Sequence, residues 1–162
     1  MIFVAVGTQK FQLNRLLKAI DNLIEKGQLK EEVFAQIGNS NYIPKKYSYK
    51  KIIAKEEFEL NIRQCDLLIT HSGVGTIITG ITYHKPIIVF PRLSKFQEHV
   101  DDHQVQIAKA FSTKGLVITC DNTNELMSAI EQAKTFTFQN YCSQRENVIK
   151  EIRTFISKQS ER

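Results

Sequence analysis

Short apolar, β-branched runs alternate along this chain with longer segments whose apolar residues recur at three- and four-residue spacings, and nothing else in the sequence restricts the fold as strongly. Ile2–Val6, Val33–Ile37, Ile52–Ala54, Leu67–Thr70, Ile87–Phe90 and Leu116–Thr119 read as strands. Leu13, Leu16, Leu17, Ile20, Leu23 and Ile24 lie on one stripe of a helix that Gly27 closes. Glu56–Gln64, Thr76–Tyr83, Asp101–Phe111 and Glu125–Ala133 read as further helices, with Val105, Ala108 and Phe111 turned inward in the third of these and an Asp/Asn-rich cap before the last. A final helix carries Val148, Ile149, Ile152, Phe155 and Ile156 beside Lys150, Arg153 and Lys158, a face suited to the chain's own sheet, a partner or an anionic membrane surface. Strand–helix alternation requires parallel strands joined by right-handed crossovers. The expected fold is therefore α/β, a Rossmann-like doubly wound parallel sheet, with Leu67–Thr70 central because it is apolar on both sides.

The 162 residues, 42% of them hydrophobic, suffice for one well-packed domain, and no linker, repeat or low-complexity tract divides residues 1–162. Three cysteines, Cys65, Cys120 and Cys142, form no CxxC pair, so neither a zinc site nor a disulfide framework is indicated. The net charge of +5 suits an anionic ligand. Lys45, Lys46, Lys50 and Lys51, interleaved with Tyr47 and Tyr49, could serve nucleic acid, but a solvated loop has the same look, and no nucleic-acid partner is expected. No apolar stretch approaches the roughly 20 residues of a membrane-spanning helix, and the chain opens on a strand-like run without a basic leader. The expectation is a cytoplasmic protein, soluble in itself.

In an open parallel sheet, ligands bind beyond the carboxyl ends of the strands. The residues at those positions are Gly7-Thr8-Gln9, Gly38-Asn39-Ser40, His71-Ser72-Gly73-Val74-Gly75-Thr76 and Pro91-Arg92. Gly38 alone needs no more than a tight turn. The His71–Thr76 turn is richer: Gly73 and Gly75 permit close backbone approach, the helix that follows offers free N–H groups, and Ser72, Thr76 and the His71 ring add donors. Together these make a diphosphate seat, to which Arg92 is a candidate contributor. Neither G-x-G-x-x-G nor a GK[ST] ending is present, which argues against dinucleotide or flavin binding and against nucleotide hydrolysis. Glu98-His99-Val100-Asp101-Asp102-His103-Gln104 admits three readings. Asp102 and Gln104 could hold sugar hydroxyls, the acids could complement a helix dipole, or a metal could bind, although the pattern supplies no third ligand. No metal is expected.

Met1–Gln9, His71–Thr76, Lys85-Pro86-Ile87-Ile88-Val89 and Asp102-His103-Gln104 resemble, in this order, the C-terminal, donor-binding domain of family 28 glycosyltransferases. Pro91–Gln104 is especially similar to the small stand-alone subunits of PssE type used in bacterial capsule and exopolysaccharide synthesis. The resemblance implies one half of a GT-B enzyme that binds a UDP-sugar without a cofactor and transfers the sugar, with inversion, to a lipid-linked saccharide. The acceptor half would be a PssD-like membrane-associated subunit that recruits this chain to the inner face of the cell membrane. Phosphate contacts fall on Gly7, Thr8, Ser72, Gly73, Gly75 and Thr76, sugar contacts on Asp102 and Gln104, and the uracil pocket near Gly38 and Ile53–Phe58. Thr79 stands where many members place an acid for the ribose, which leaves open a subunit that only enhances or positions an active partner. The catalytic base is expected from the other half. His71 is an alternative candidate because imidazole titrates near neutrality, though a donor role to phosphate suits it better.

Overall fold

The computed structural model describes residues 1–141; Cys142 and the Val148–Ile156 stripe lie outside the described residues. The elements run β1 (Ile2–Ala5), α1 (Asn14–Glu25), β2 (Val33–Gln36), β3 (Ser48–Lys50), α2 (Lys55–Gln64), β4 (Leu67–Thr70), α3 (Val74–Thr82), β5 (Ile87–Val89), α4 (His103–Thr113), β6 (Ile118–Thr119) and α5 (Leu126–Thr135). All pairings are parallel, and the six strands lie in the order β3-β2-β1-β4-β5-β6. That is the order of a Rossmann-like sheet, with its reversal between β1 and β4.

Side chains alternate across the strands, so each strand feeds two cores. Ile2, Val4, Leu67, Ile69 and Ile88 pack beneath Leu16, Leu17 and Ile20 of α1 and Ile130 of α5. Phe3, Ala5, Leu68, Ile87 and Val89 face the other way, toward Ile62 of α2, Ile77 of α3 and Ala108 of α4. Burial on both faces is why these strands read as continuous apolar runs. Gly80 lets α3 lie on the sheet: a Cβ there would come within 2.8 Å of the Ile87 and Leu68 side chains.

Two expectations shift. The third strand is Ser48–Lys50, not Ile52–Ala54. It is an edge strand, paired only with β2 and exposed at all three residues, so apolarity does not mark it. Ile53 instead packs beside the second core on the way into α2. Helix α4 begins at His103, and its fully inward residues are Gln104 and Ala108, with Val105 only half-buried. The lysine-rich stretch is tied down by Asp21, whose carboxylate accepts from the Lys45 and Lys46 amides at 2.8 Å each and from the Tyr42 hydroxyl at 2.6 Å.

Candidate functional site

Because Ala5 pairs with Gln36 on one side and Thr70 on the other, Gly7, Gly38 and His71 emerge together at the carboxyl ends of β1, β2 and β4. Gly7 (φ 82°) and Gly38 (φ 54°) both occupy the left-handed region, and a Cβ on Gly38 would meet the Gly7 carbonyl oxygen at 2.1 Å. Gln36 locks this contact. Its side chain accepts from the Gly7 amide at 3.1 Å and donates to the Gly7 and Lys51 carbonyls at 3.0 and 3.1 Å. Asn39 donates to the Thr8 and Gln9 carbonyls at 3.2 and 3.0 Å, which holds the loop that carries exposed Thr8.

The His71 ring stands between the two glycine turns. A Cβ on Gly7 would approach its Cε1 at 2.6 Å, and one on Gly73 would approach Nε2 at 2.4 Å. Gly73 therefore makes room for the imidazole, whereas a Cβ on Gly75 would meet nothing within 4 Å. The protein's own packing therefore does not require glycine at 75. Nδ1 of His71 lies 3.3 Å from the Ala5 carbonyl oxygen, which can only accept, so the proton sits there and Nε2 keeps a lone pair. Burial first, and then the Arg92 charge, push the ring down to about 4. His71 thus turns the Nε2 lone pair toward the rim.

Gly73 caps α3, whose first residues Val74, Gly75 and Thr76 face outward with their amides unclaimed by a capping side chain. Ser72 Oγ is buried with no hydrogen-bond partner among the described residues. Thr79 donates its hydroxyl to the Gly75 carbonyl at 2.8 Å, a bond within its own helix.

A groove of about 290 Å³ opens beside this turn, lined by Gly7, Thr8, Gln36, Ile53, Lys55, Phe58 and Thr76. It lies toward β2, where the uracil pocket was expected. A depression of equal size, about 290 Å³, sits at the opposite end of the sheet against Met1, Asp66, Leu67 and Pro86, away from the glycine turns.

On the β5 side, Gln104 is buried and accepts from the Arg92 amide through Oε1 at 3.0 Å, which leaves its NH₂ group to donate. Asp102 accepts from the Ser94 amide and hydroxyl, both at 2.9 Å, and these bonds hold its carboxylate below the usual range. Arg92 is not brought to the rim. It is fully buried, donating to the carbonyls of Val6 (2.5 Å), Phe11 (3.1 Å) and Gln12 (3.3 Å), with Nη1 lacking a partner among the described residues. It ties the loop after β1 to the loop after β5.

Sequence reasoning missed the residue that organises the Glu98–Gln104 segment. Arg15 grips the buried Glu98 carboxylate with two bonds at 3.2 and 3.0 Å, donates to the Pro91 and Asp121 carbonyls, and stacks on Phe90 with its guanidinium carbon 4.3 Å from the ring centre. Arg15 lies off the apolar stripe of α1, so spacing along the sequence carried no signal for it. His99 pairs with Asp101 at 3.0 Å and packs on Phe11, while His103 turns to Gln106. Among the described residues, no three His, Cys, Asp or Glu side chains converge as a metal would need. None of the helices there is long and apolar enough to cross a membrane.

Over residues 1–159 the chain matches the glycosyltransferase family 28 C-terminal domain. It is similar to the UDP-N-acetylglucosamine transferase subunit ALG13 of Homo sapiens, 26% identical over 141 residues that cover 83% of this chain and 12% of the human protein. It is also similar to the UDP-N-acetylglucosamine–N-acetylmuramyl-(pentapeptide) pyrophosphoryl-undecaprenol N-acetylglucosamine transferase of Prochlorococcus marinus (strain MIT 9301), 26% identical over 142 residues, 82% of this chain and 36% of that one. The chain spans well under half the length of both relatives. Among solved structures it overlays on the solution structure of ALG13 with a TM-score of 0.58 at 20% identity, covering 94% of each chain. The fold is that of GT-B glycosyltransferase domains. This chain belongs to the glycosyltransferase family 28 C-terminal domain family.

Proposed function

We propose that this chain is the donor-binding subunit of a two-component inverting glycosyltransferase that takes a sugar from a UDP-sugar, without cofactor or metal, and passes it to a lipid-linked saccharide. The observation that carries this reading is the layout around the β1/β4 switch. The Gly7 and Ser72–Gly75 turns and the amino end of α3 form the centre, the Ile53–Phe58 groove flanks them toward β2, and Asp102 and Gln104 flank them toward β5. A diphosphate fits the centre, a uracil the groove, and a sugar the polar side, in the linear order of a UDP-sugar.

On this reading the α3 amides, with Ser72 and Thr76, stabilise the departing diphosphate. Gln104, oriented by the Arg92 amide, donates to a sugar hydroxyl, and Asp102 accepts from one. The base for the acceptor hydroxyl would come from a PssD-like acceptor subunit, which would recruit the chain to the inner membrane face. Both similar proteins are named for UDP-N-acetylglucosamine, which makes it the first donor to try. The pathway proposed for it is capsule or exopolysaccharide synthesis, a reading supported by the resemblance of Pro91–Gln104 to PssE-type subunits. The test is turnover of UDP-N-acetylglucosamine by the chain mixed with its genomic neighbour. Activity that needs both proteins and is lost with Gly75→Asp supports the reading; undiminished activity with Gly75→Asp makes this chain a scaffold instead.

A further inference from the structure

The protonation of His71 is dictated by its neighbours. Nδ1 stands 3.3 Å from the Ala5 carbonyl oxygen, and Thr70 gives its hydroxyl proton to the same oxygen at 2.7 Å, so both groups on that side of the ring accept from Nδ1–H. Nε2 is left with the lone pair. It has no hydrogen-bond partner among the described residues and is not fully enclosed. It borders the gap between Gly7 and Gly73, where added Cβ atoms would stand 2.8 and 2.4 Å from it. That gap adjoins the amino end of α3, the place where anion-binding amides collect.

A diphosphate seated there brings acceptor oxygens toward a nitrogen that also only accepts. Two lone pairs in contact repel, and a proton between them turns the repulsion into a charge-assisted hydrogen bond. The charged and titratable groups whose fields reach the ring are Arg92 and His99, both of which disfavour a proton. The carboxylate of Glu98 is engaged by Arg15 and acts on Arg92 rather than on the ring. A bound diphosphate supplies the anion this environment lacks.

We infer that binding of a nucleoside-diphosphate sugar at this seat takes up one proton from solvent, carried on Nε2 of His71 and shared with a diphosphate oxygen. This rests on the donor-site reading. The only bond formed is N–H, the buffer supplies the proton, and it returns when the nucleotide leaves. The ring then faces the diphosphate as an imidazolium at the moment its charge grows.

The experiment is calorimetry of UDP-N-acetylglucosamine binding at pH 6 in buffers of different ionisation enthalpy. This ligand is a diphosphate diester, so it does not itself titrate near neutrality. The expected result is uptake of close to one proton by the wild-type chain, and an affinity that weakens by up to about tenfold per unit as pH rises past the bound-state value. In His71→Gln the uptake disappears and the affinity, whatever its size, no longer follows pH. A variant-free check is the His71 ring ¹⁵N spectrum, in which Nε2 should change from unprotonated to protonated on ligand addition. Binding with no proton uptake, equal uptake in His71→Gln, or an unchanged Nε2 signal overturns the inference while sparing the donor site. Absence of any binding overturns both.

Discussion

The His71 imidazole occupies the space a side chain at Gly73 would need: a Cβ there would lie 2.4 Å from Nε2. Two residues onward, Gly75 faces open space, so packing demands glycine at 73 and not at 75. Gly73→Ala should displace the ring and cost about 1–3 kcal/mol. Gly75→Ala should leave stability equal or up to about 1 kcal/mol higher, since alanine favours the helix, yet weaken UDP binding. Urea midpoints and a UDP titration on both variants separate the two; a Gly75→Ala protein that binds UDP as the wild type does removes the ligand explanation for Gly75.

Arg92 links two loops through the carbonyls of Val6, Phe11 and Gln12. Lysine reaches fewer acceptors and orphans the rest, so Arg92→Lys should lose about 2–4 kcal/mol of stability. If Arg92 acted on the diphosphate instead, the variant would keep its denaturation midpoint and lose affinity alone.

The Arg15–Glu98 pair is almost entirely withdrawn from water, with side-chain exposures of 15% and 1%. Glu98→Gln leaves a buried guanidinium uncompensated and should cost about 3–5 kcal/mol, whereas Arg15→Met with Glu98→Leu should recover part of that loss. A double-mutant cycle by chemical denaturation measures the coupling; additive effects contradict a paired core.

The depressed His71 ring also sets a pH window. Its folded value of about 4 lies below the 6.5 of an unperturbed imidazole, so as pH falls below 6.5 the unfolded chain takes the proton first. Stability from this group is complete above pH 6.5 and is lost toward pH 4, by up to about 3 kcal/mol. His71→Asn should therefore lose less stability than the wild type between pH 7 and pH 5, as read from urea midpoints; equal losses mean that the ring is not held neutral.

Much of this was legible because burial on both faces writes itself into sequence. Leu67–Thr70 matched its strand residue for residue, and the α1 stripe was visible in its spacing. Strand β3 escaped because an exposed edge needs no apolar residues; its evidence is backbone pairing, including the Ile37 amide to the Lys50 carbonyl at 2.9 Å. At the site, the glycine turns were readable as types, but the partners that shape them were not. Gln36 is a polar residue inside an apolar run, and only the fold shows that its amide clasps Gly7. Arg92 sits at the right strand end for a ligand contact, and only the path of residues 6–12 reveals that backbone carbonyls claim it first.

The central claim is that the turn between β4 and α3 seats the diphosphate of a nucleotide sugar. Isothermal titration of UDP into the folded, isolated chain tests it most directly. Saturable binding is expected with a Kd on the order of micromolar to millimolar, abolished in Gly75→Asp while the fold remains intact. A folded wild-type chain that gives no binding heat and no shift of its amide spectrum up to millimolar UDP would contradict it.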